Sequence, residues 1–436
     1  MHIRLIDVAA QPKAGASFRT LTLPRVAGCT PPGFSVSITD GRVERIRVDD
    51  GPADLVGLTF SCNHAPVAYD LARRFRLRGA KVVAGGTHAT AVPDEALQHV
   101  DAVLSGEAEG GAWERLLEDF RLGRLGGVYR NQTPPDLVGL NPPRVDLLKH
   151  KSRYLGFYPM EATRGCTHDC GFCFNSTIHG ERFRVRPVDE VVADVRRADC
   201  KRLMFMDDNL CGKPAYAREL FEALIPEKKH LFFQTHLLMA EDEKLVELAA
   251  RAGAKFVFVG IESFQPESLK SVNKGWNKID RFRRYVDVFH EHGIFVSAGM
   301  ILGLDSDGPD CFERTLELLD QVGVDNAAVN LLIPYPGTAF HEQVKREGRL
   351  LTDDYSRYTG FDVVVKPKSM SVEELEAGYA HVNDTFFGKR RYVKSIFRNG
   401  MVKAAPVYAL AWWREPRRKS LLPWQRGIQG RGGEAR

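Results

Sequence analysis

Along residues 1–145, short apolar runs alternate with stretches whose apolar residues recur at helical spacing. Strands are expected at 3–8, 55–60, 81–84 and 101–104. A helix is expected at 65–78, where Tyr69, Leu71, Ala72 and Phe75 suit one buried face and Gly79 ends the run. Strands alternating with helices predict a parallel, doubly wound, Rossmann-like sheet. Ligands of such sheets sit beyond the carboxyl ends of the strands. The segments there are Ser61-Cys62-Asn63-His64, Gly85-Gly86-Thr87-His88 and Gly106-Glu107-Ala108-Glu109. Glycine lets backbone approach a ligand closely, but a Gly-Gly after a strand also serves as a plain turn. His64 and His88 are metal-ligand candidates, and each reads equally well as a hydrogen-bonded structural histidine.

Residues 131–143 hold Pro134, Pro135, Pro142 and Pro143, a composition suited to an extended connector. A domain boundary is expected near 145–151. Beyond it a strand-plus-helix unit recurs. Strands are predicted before Cys166 and at 203–206, 231–235, 256–260, 295–302 and 327–333, with helices at 215–224, 243–252, 281–292 and 311–322. Six such units predict an open (β/α)6 partial TIM barrel over 146–365, with its site at the carboxyl ends of the strands. Asp207 and Asp208, Glu262, Gly303 and Pro334 fall there. Asp207-Asp208 also reads as a strand-end turn, and Glu262 as an acid near a helix start. Arg182, Arg184 and Arg186 alternate before Pro187; one of them is a candidate anion ligand, and a solvated face is the plainer reading. Residues 366–436 read as a small, mostly helical region. It has a helix over 371–399 capped by Ser371 and a disordered tail from 427. In 408–424, Trp412, Trp413 and Trp424 are interleaved with basic residues, which suits a membrane interface or the protein's own surface.

Bulk composition narrows the class only a little. Hydrophobic residues make up 44% of the chain and charged ones 27%, ordinary for a globular protein. A net charge of +5 over 436 residues gives no case for nucleic acid. The first residues lack a charged segment followed by an apolar one, so no signal peptide is expected. No apolar run approaches a membrane span. Five of the 8 cysteines are scattered singly, which suits a reducing cytoplasm rather than a disulfide framework.

The other three are not scattered. Cys166, Cys170 and Cys173 stand as Cys-x3-Cys-x2-Cys. Thiolates select iron–sulfur clusters, zinc or copper(I). A [4Fe–4S] cube wants four ligands and the segment offers three, which leaves one iron open. Structural zinc also needs four ligands. No second Cys-x2-Cys exists, although His168 or His179 could complete a zinc site.

With Arg164-Gly165 before it and Phe172 inside it, the cysteine motif resembles that of the radical S-adenosylmethionine (radical SAM) enzymes. The segment from Asp54 to Glu109, with Gly85-Gly86-x-His88-x-Thr90 and Gly106-Glu107-x-Glu109, resembles the cobalamin-binding domain that precedes many of their barrels. The resemblance implies an enzyme whose cluster, held by Cys166, Cys170 and Cys173, cleaves S-adenosylmethionine to a 5′-deoxyadenosyl radical that abstracts hydrogen from an unactivated carbon. It implies that Phe172, Asp207, Asp208, Glu262, Gly303 and Pro334 contact S-adenosylmethionine. It implies that Ser61, Gly85, Gly86, Thr87, His88, Gly106 and Glu107 line a cobalamin site. The Asp-x-His-x-x-Gly string that ligates cobalt from below in other cobalamin proteins is absent. Methyl transfer to the substrate carbon is the expected outcome; cyclisation, dehydration and a non-catalytic corrinoid carrier are the alternatives. The expected partners are a small natural-product substrate and an electron donor such as flavodoxin or ferredoxin.

Overall fold

The computed structural model describes residues 1–9, 17–179 and 182–387. Two all-parallel, six-stranded sheets dominate it. In the first, β1 (His2–Asp7), β2 (Ser35–Asp40), β3 (Leu55–Thr59), β4 (Lys81–Gly85), β5 (Ala102–Leu104) and β6 (Gly127–Tyr129) lie in the order β2-β1-β3-β4-β5-β6. That is the doubly wound order, with its switch point between β1 and β3. β3 and β4 are almost wholly apolar because helices cover both faces of the sheet. The helix Ala65–Arg76 packs Ala68, Leu71, Ala72 and Phe75 onto one face. Helix Ala112–Arg121 packs Trp113, Leu116 and Leu117 into the core of the other.

The chain then forms β7 (Tyr158–Met160) and a short antiparallel pair, β8 (Thr163–Arg164) with β9 (Arg184–Val185). The strands β10 (Arg202–Phe205), β11 (His230–Thr235), β12 (Ala254–Glu262), β13 (Phe295–Leu302) and β14 (Asn326–Leu331) follow. The second sheet runs β14-β13-β12-β11-β10-β7. Its two end strands do not pair, so the barrel is open, and it has the six strands expected.

The expected strands and helices agree with those observed to within a few residues. Several elements escape sequence reading, among them β6 and the helices Ala112–Arg121, Val188–Arg197 and Ala339–Arg346. Three others in the first domain show why. β2 has the polar-rich sequence Ser-Val-Ser-Ile-Thr-Asp and pairs with only one neighbour, so it carries no continuous apolar run. Helix Thr22–Gly28 is short and lacks a capping side chain. The third is Gly86–Ala91, expected as a loop and found as a helical turn leaving β4 directly. Gly86 makes that turn possible. Its φ is +88°, and a β-carbon there would stand 2.5 Å from Thr59 Oγ1.

Ser371 caps the helix Val372–Phe386 in a reciprocal capping box with Glu374. The rest of the C-terminal expectation, the tryptophan-rich 408–424 segment and the tail from 427, lies outside the described residues. Among the described residues, no helix is long and apolar enough to cross a membrane.

Candidate active site

The cysteine loop leaves β8 and closes on helix Asn175–His179. Gly165 turns it with φ +87°, and a β-carbon there would stand 2.6 Å from the Arg182 carbonyl. The loop is pinned from the barrel. Gly171 N–H donates to the Val272 carbonyl at 3.1 Å, and Phe340 N–H donates to the Gly171 carbonyl at 3.0 Å. Phe172 packs on an apolar cluster that includes Val272, Leu332 and Phe340.

All three cysteines are partly exposed and free. Burial pushes the Cys170 thiol up to about 12, with the neighbouring Lys274 ammonium opposing it. Cys173 is also raised, chiefly by burial, and Asp208 and Cys166 add to the rise. The thiolate state that a metal needs is thus costly without a cation beside it. Asn209 Nδ2 faces Cys166 Sγ at 3.6 Å. With its side-chain amide oriented to satisfy its neighbours, Asn175 donates to Asp208 at 3.0 Å and accepts from Cys166 N–H at 3.3 Å. Among the described residues, no three of His, Cys, Asp or Glu gather as ligands of a single metal ion. A cluster asks instead for thiolates on separate irons. Three free thiols on one eight-residue loop, a buried lysine beside them and loop backbone pinned on both sides fit a cluster.

The strand-end residues divide into two groups. Asp207 is buried, and its Oδ1 accepts from Ala162 N–H at 3.0 Å, from Thr163 N–H and from Thr163 Oγ1 at 2.7 Å. Burial raises its carboxyl to about 7. It braces the strand that launches the cysteine loop, and Asp208 is the member of the pair beside the loop. Glu262 sits at a register shift of β12 with φ +66°, a backbone rarely held by a side chain other than Asn or Gly. Its Oε1 meets Lys274 Nζ at 2.8 Å, with both side chains largely buried. Gly303 N–H and Leu304 N–H both donate to Asp307, whose other oxygen accepts from Ser268. Pro334 is buried.

Sequence reading missed an aromatic group beside the loop. His168 stacks on Trp276 with ring centres 3.8 Å apart, and His236 stands edge-on to His168 at 5.5 Å. Burial lowers His236 to about 4, so it is neutral at physiological pH. Sequence spacing marks His168 only as a possible zinc ligand and gives no signal for His236 or Trp276.

At the first sheet, the candidate residues meet protein partners. Ser61 Oγ, Asn63 and His64 hydrogen-bond one another at 2.8–3.4 Å. His88 is fully buried, with Nε2 at 3.2 Å from Tyr69 Oη and 3.3 Å from Glu95, and its ring edge-on to Tyr355. In this conformation its ring is committed to protein partners. Gly106 N–H donates to Thr90 Oγ1 at 2.9 Å. Gly85, Gly86 and Thr87 are partly exposed beside it.

Glu107 faces the cysteine loop. Its carboxylate accepts from Arg164 Nη1 at 2.7 Å, from His179 Nδ1 at 2.9 Å and from both terminal nitrogens of Arg184. Burial opposes its ionisation, but the Arg184 and His179 hydrogen bonds and the charge of Arg164 outweigh that and hold it far below the usual carboxylate range. Arg164 also reaches Glu109 at 2.5 Å and Glu161 at 2.8 Å. Arg25 joins Glu161 at 3.1 Å and Glu109 at 3.8 Å. Of the alternating arginines, Arg184 enters this network, Arg186 pairs with Asp194 at 2.9 Å, and Arg182 is exposed.

For cobalamin, the fit lies in the cradle left by small residues. Gly106 holds φ +79°, and a β-carbon there would meet nothing closer than the Ile178 carbonyl, 4.0 Å away. Gly85, Gly86 and Thr87 at the end of β4 are partly exposed, which suits a corrin held by shape and backbone.

Comparison with known proteins agrees with this geometry. Residues 160–319, which include all three cysteines, match the model of the radical SAM superfamily. The chain is 32% identical over 379 residues to the bacteriochlorophyllide d C-12(1)-methyltransferase of Chlorobaculum tepidum, covering 83% of this chain and 81% of that one. It is 26% identical over 342 residues to the hopanoid C-2 methylase of Rhodopseudomonas palustris, covering 76% of this chain and 64% of the relative. The fold matches that of the radical SAM methyltransferase TsrM from Kitasatospora setae, solved with cobalamin and a [4Fe–4S] cluster. The TM-score is 0.68 at 16% identity, over 86% of this chain and 84% of that one. It matches the cobalamin-dependent radical SAM enzyme OxsB with a TM-score of 0.70 at 15% identity, over 95% of this chain and 71% of that one. The cysteine loop, the open six-stranded barrel and the doubly wound sheet in front of it thus belong together, and this chain is a member of the radical SAM enzymes that carry a cobalamin-binding-type domain.

Proposed function

We propose that this enzyme methylates an unactivated carbon of a large, apolar, polycyclic substrate such as a tetrapyrrole. The observation that carries the reading is the 32% identity, over most of both chains, to a methyltransferase acting on a bacteriochlorophyllide. The hopanoid methylase supports the same chemistry on another polycyclic skeleton. When bound, the cluster supplies the electron that cleaves S-adenosylmethionine, and cobalamin supplies a transferable methyl group.

The protein's own residues bind, orient and exclude water. Cys166, Cys170 and Cys173 would hold the cluster. Asp208, Glu262 and backbone around Gly303 and Pro334 would hold S-adenosylmethionine, with Phe172 against the adenine side. Glu262 has its left-handed backbone already set, and Lys274 holds its carboxylate at 2.8 Å. Ser61, Gly85, Gly86, Thr87 and Gly106 would cradle the corrin, with Gly86 keeping backbone close to β3. Between the two sheets, Cys62, Val272, Leu332, Ile333 and Phe340 form one apolar cluster. Packed core of this kind helps to keep bulk water from the neighbouring site.

Three parts divide this work: 1–145 for cobalamin, 146–365 for the radical chemistry, and a C-terminal region from 366 whose described helix, Val372–Phe386, covers the barrel helix Cys311–Val322. A flavodoxin- or ferredoxin-type donor in the cytoplasm would deliver the electron. The test is anaerobic reconstitution with iron, sulfide and cobalamin, followed by incubation with S-adenosylmethionine and chlorophyllide-type pigments. A product heavier by one methyl group, formed with 5′-deoxyadenosine and S-adenosylhomocysteine, is expected. Reductive cleavage of S-adenosylmethionine without methylation of any pigment would overturn the substrate class.

A further inference from the structure

Glu107 lies at the carboxyl end of β5, where its sequence position points to cofactor contact, but its carboxylate is fully engaged by the other half of the molecule. Its partners Arg164 and Arg184 sit on the two short paired strands that flank the cysteine segment. His179 closes the helix after Cys173 and places its other ring nitrogen 3.8 Å from Asp208. Glu109, two residues on, binds Arg164 from the same loop. The side chains of Arg164, Glu107 and Glu109 are each less than a tenth exposed.

A surface ion pair would say little about design, because it contributes almost nothing. A buried one is costly to assemble, and a well-packed apolar substitute is often as stable. Stability alone therefore does not explain why three arginines and three carboxylates converge here. Their geometry explains more. Arg164 spans two loop acids, Glu107 and Glu109, and the strand-end acid Glu161. Planar guanidinium forks meeting carboxylates fix direction as well as distance. The loop after β5 also carries Gly106, whose space opens toward Ile178 of the cysteine segment.

We infer that Glu107, through Arg164, Arg184 and His179, is a positioning residue that locks the corrin side of the molecule in register with the cluster side, and so couples radical formation to methyl transfer. The inference rests on the proposed two-cofactor reading. It predicts that loosening the lock wastes S-adenosylmethionine rather than stopping its cleavage, because a small misplacement of reacting groups costs rate steeply.

The test uses the full chain, reconstituted anaerobically with cluster and cobalamin, comparing the parent with Glu107→Gln. One readout needs no substrate: the dipolar broadening between cob(II)alamin and the reduced cluster in electron paramagnetic resonance. A sharply defined interaction is expected in the parent and a spread of interactions in Glu107→Gln, with unchanged iron, sulfide and corrinoid content. The second readout is the ratio of 5′-deoxyadenosine to methylated product, expected to rise several-fold, with Glu107→Asp recovering part of the coupling. If Glu107→Gln does not fold, Arg184→Lys, which keeps the charge and loses the fork, takes its place with the same expectations. An unchanged dipolar pattern and an unchanged ratio would overturn the inference, as would loss of cobalamin alone, which would make Glu107 a cofactor ligand. Failure of the parent to methylate any substrate would leave the dipolar readout standing and would count against the reaction class instead.

Discussion

The ends of the two sheets treat their polar residues in opposite ways. At the barrel end, the three cysteines carry no disulfide, and the residues that hold their loop are backbone donors and buried neighbours such as Asp207. At the end of the first sheet, almost every candidate side chain is spent on the protein itself: His88 on Tyr69 and Glu95, Thr90 on Gly106, Glu107 on Arg164, Arg184 and His179. A metal cluster demands specific free ligands, so its site is written in side chains. A large organic cofactor can be held by shape and backbone, which leaves fewer side-chain marks of its site.

The sharpest way to break this contrast is at the cysteines. Cys170→Ala should remove the cluster and reduce S-adenosylmethionine cleavage to background, read as loss of iron, sulfide and 5′-deoxyadenosine. Retained cleavage would mean that the thiols are not the ligands. His88→Phe is the matching test at the first sheet. Because the ring is buried among protein partners, the corrinoid absorption spectrum should not change, while stability falls by roughly 1–3 kcal/mol from unpairing Tyr69 and Glu95. A shift to a spectrum lacking a nitrogen ligand would show that His88 moves onto cobalt.

Between these extremes lies the ionic network. Arg164→Met should destabilise the chain by about 3–5 kcal/mol in chemical denaturation, since Glu107, Glu109 and Glu161 would be left buried with fewer cations. A change below about 1 kcal/mol would show that the network is solvated.

The pH dependence separates the two acids by sign. Asp207 titrates near 7 in the folded chain against an ordinary value of 3.8, because burial disfavours its charge. The folded state therefore holds that proton more tightly than the unfolded chain. Its contribution is fully present below about pH 4 and is lost as pH rises through about 7. Glu107 is depressed, so its contribution is present above the ordinary carboxylate range and is lost only in strong acid. Asp207→Asn should flatten the fall in stability between about pH 4 and 7, measured by denaturant unfolding across that range. A slope equal to the parent's would assign it to another group. An effect on stability like that of His88→Phe is expected at Gly86→Ala. There the left-handed backbone and the contact with Thr59 should cost on the order of 1–3 kcal/mol, with little change in cluster content.

The repeating strand and helix patterns made both sheets readable, because apolar periodicity reports burial directly. The cysteine spacing made the metal chemistry readable, because three soft ligands in eight residues have few other uses. β2 stayed hidden because its pairing comes from register with β1 rather than from its own apolar content. The functions of individual charged residues were hidden for a different reason. Glu107, Arg164 and Arg184 are far apart in sequence, with 57 and 77 positions separating the acid from its two arginines. A carboxylate at a strand end looks the same whether it faces a cofactor or a guanidinium.

The amino-acid order thus determined the two layered architectures and the thiolate set, which depend on local spacing. Only the folded molecule decided which acids are bound by arginine, which aspartate of a pair is buried and which histidine is enclosed. Those outcomes depend on what the tertiary packing brings within a few ångströms, where Coulomb energy and desolvation are settled.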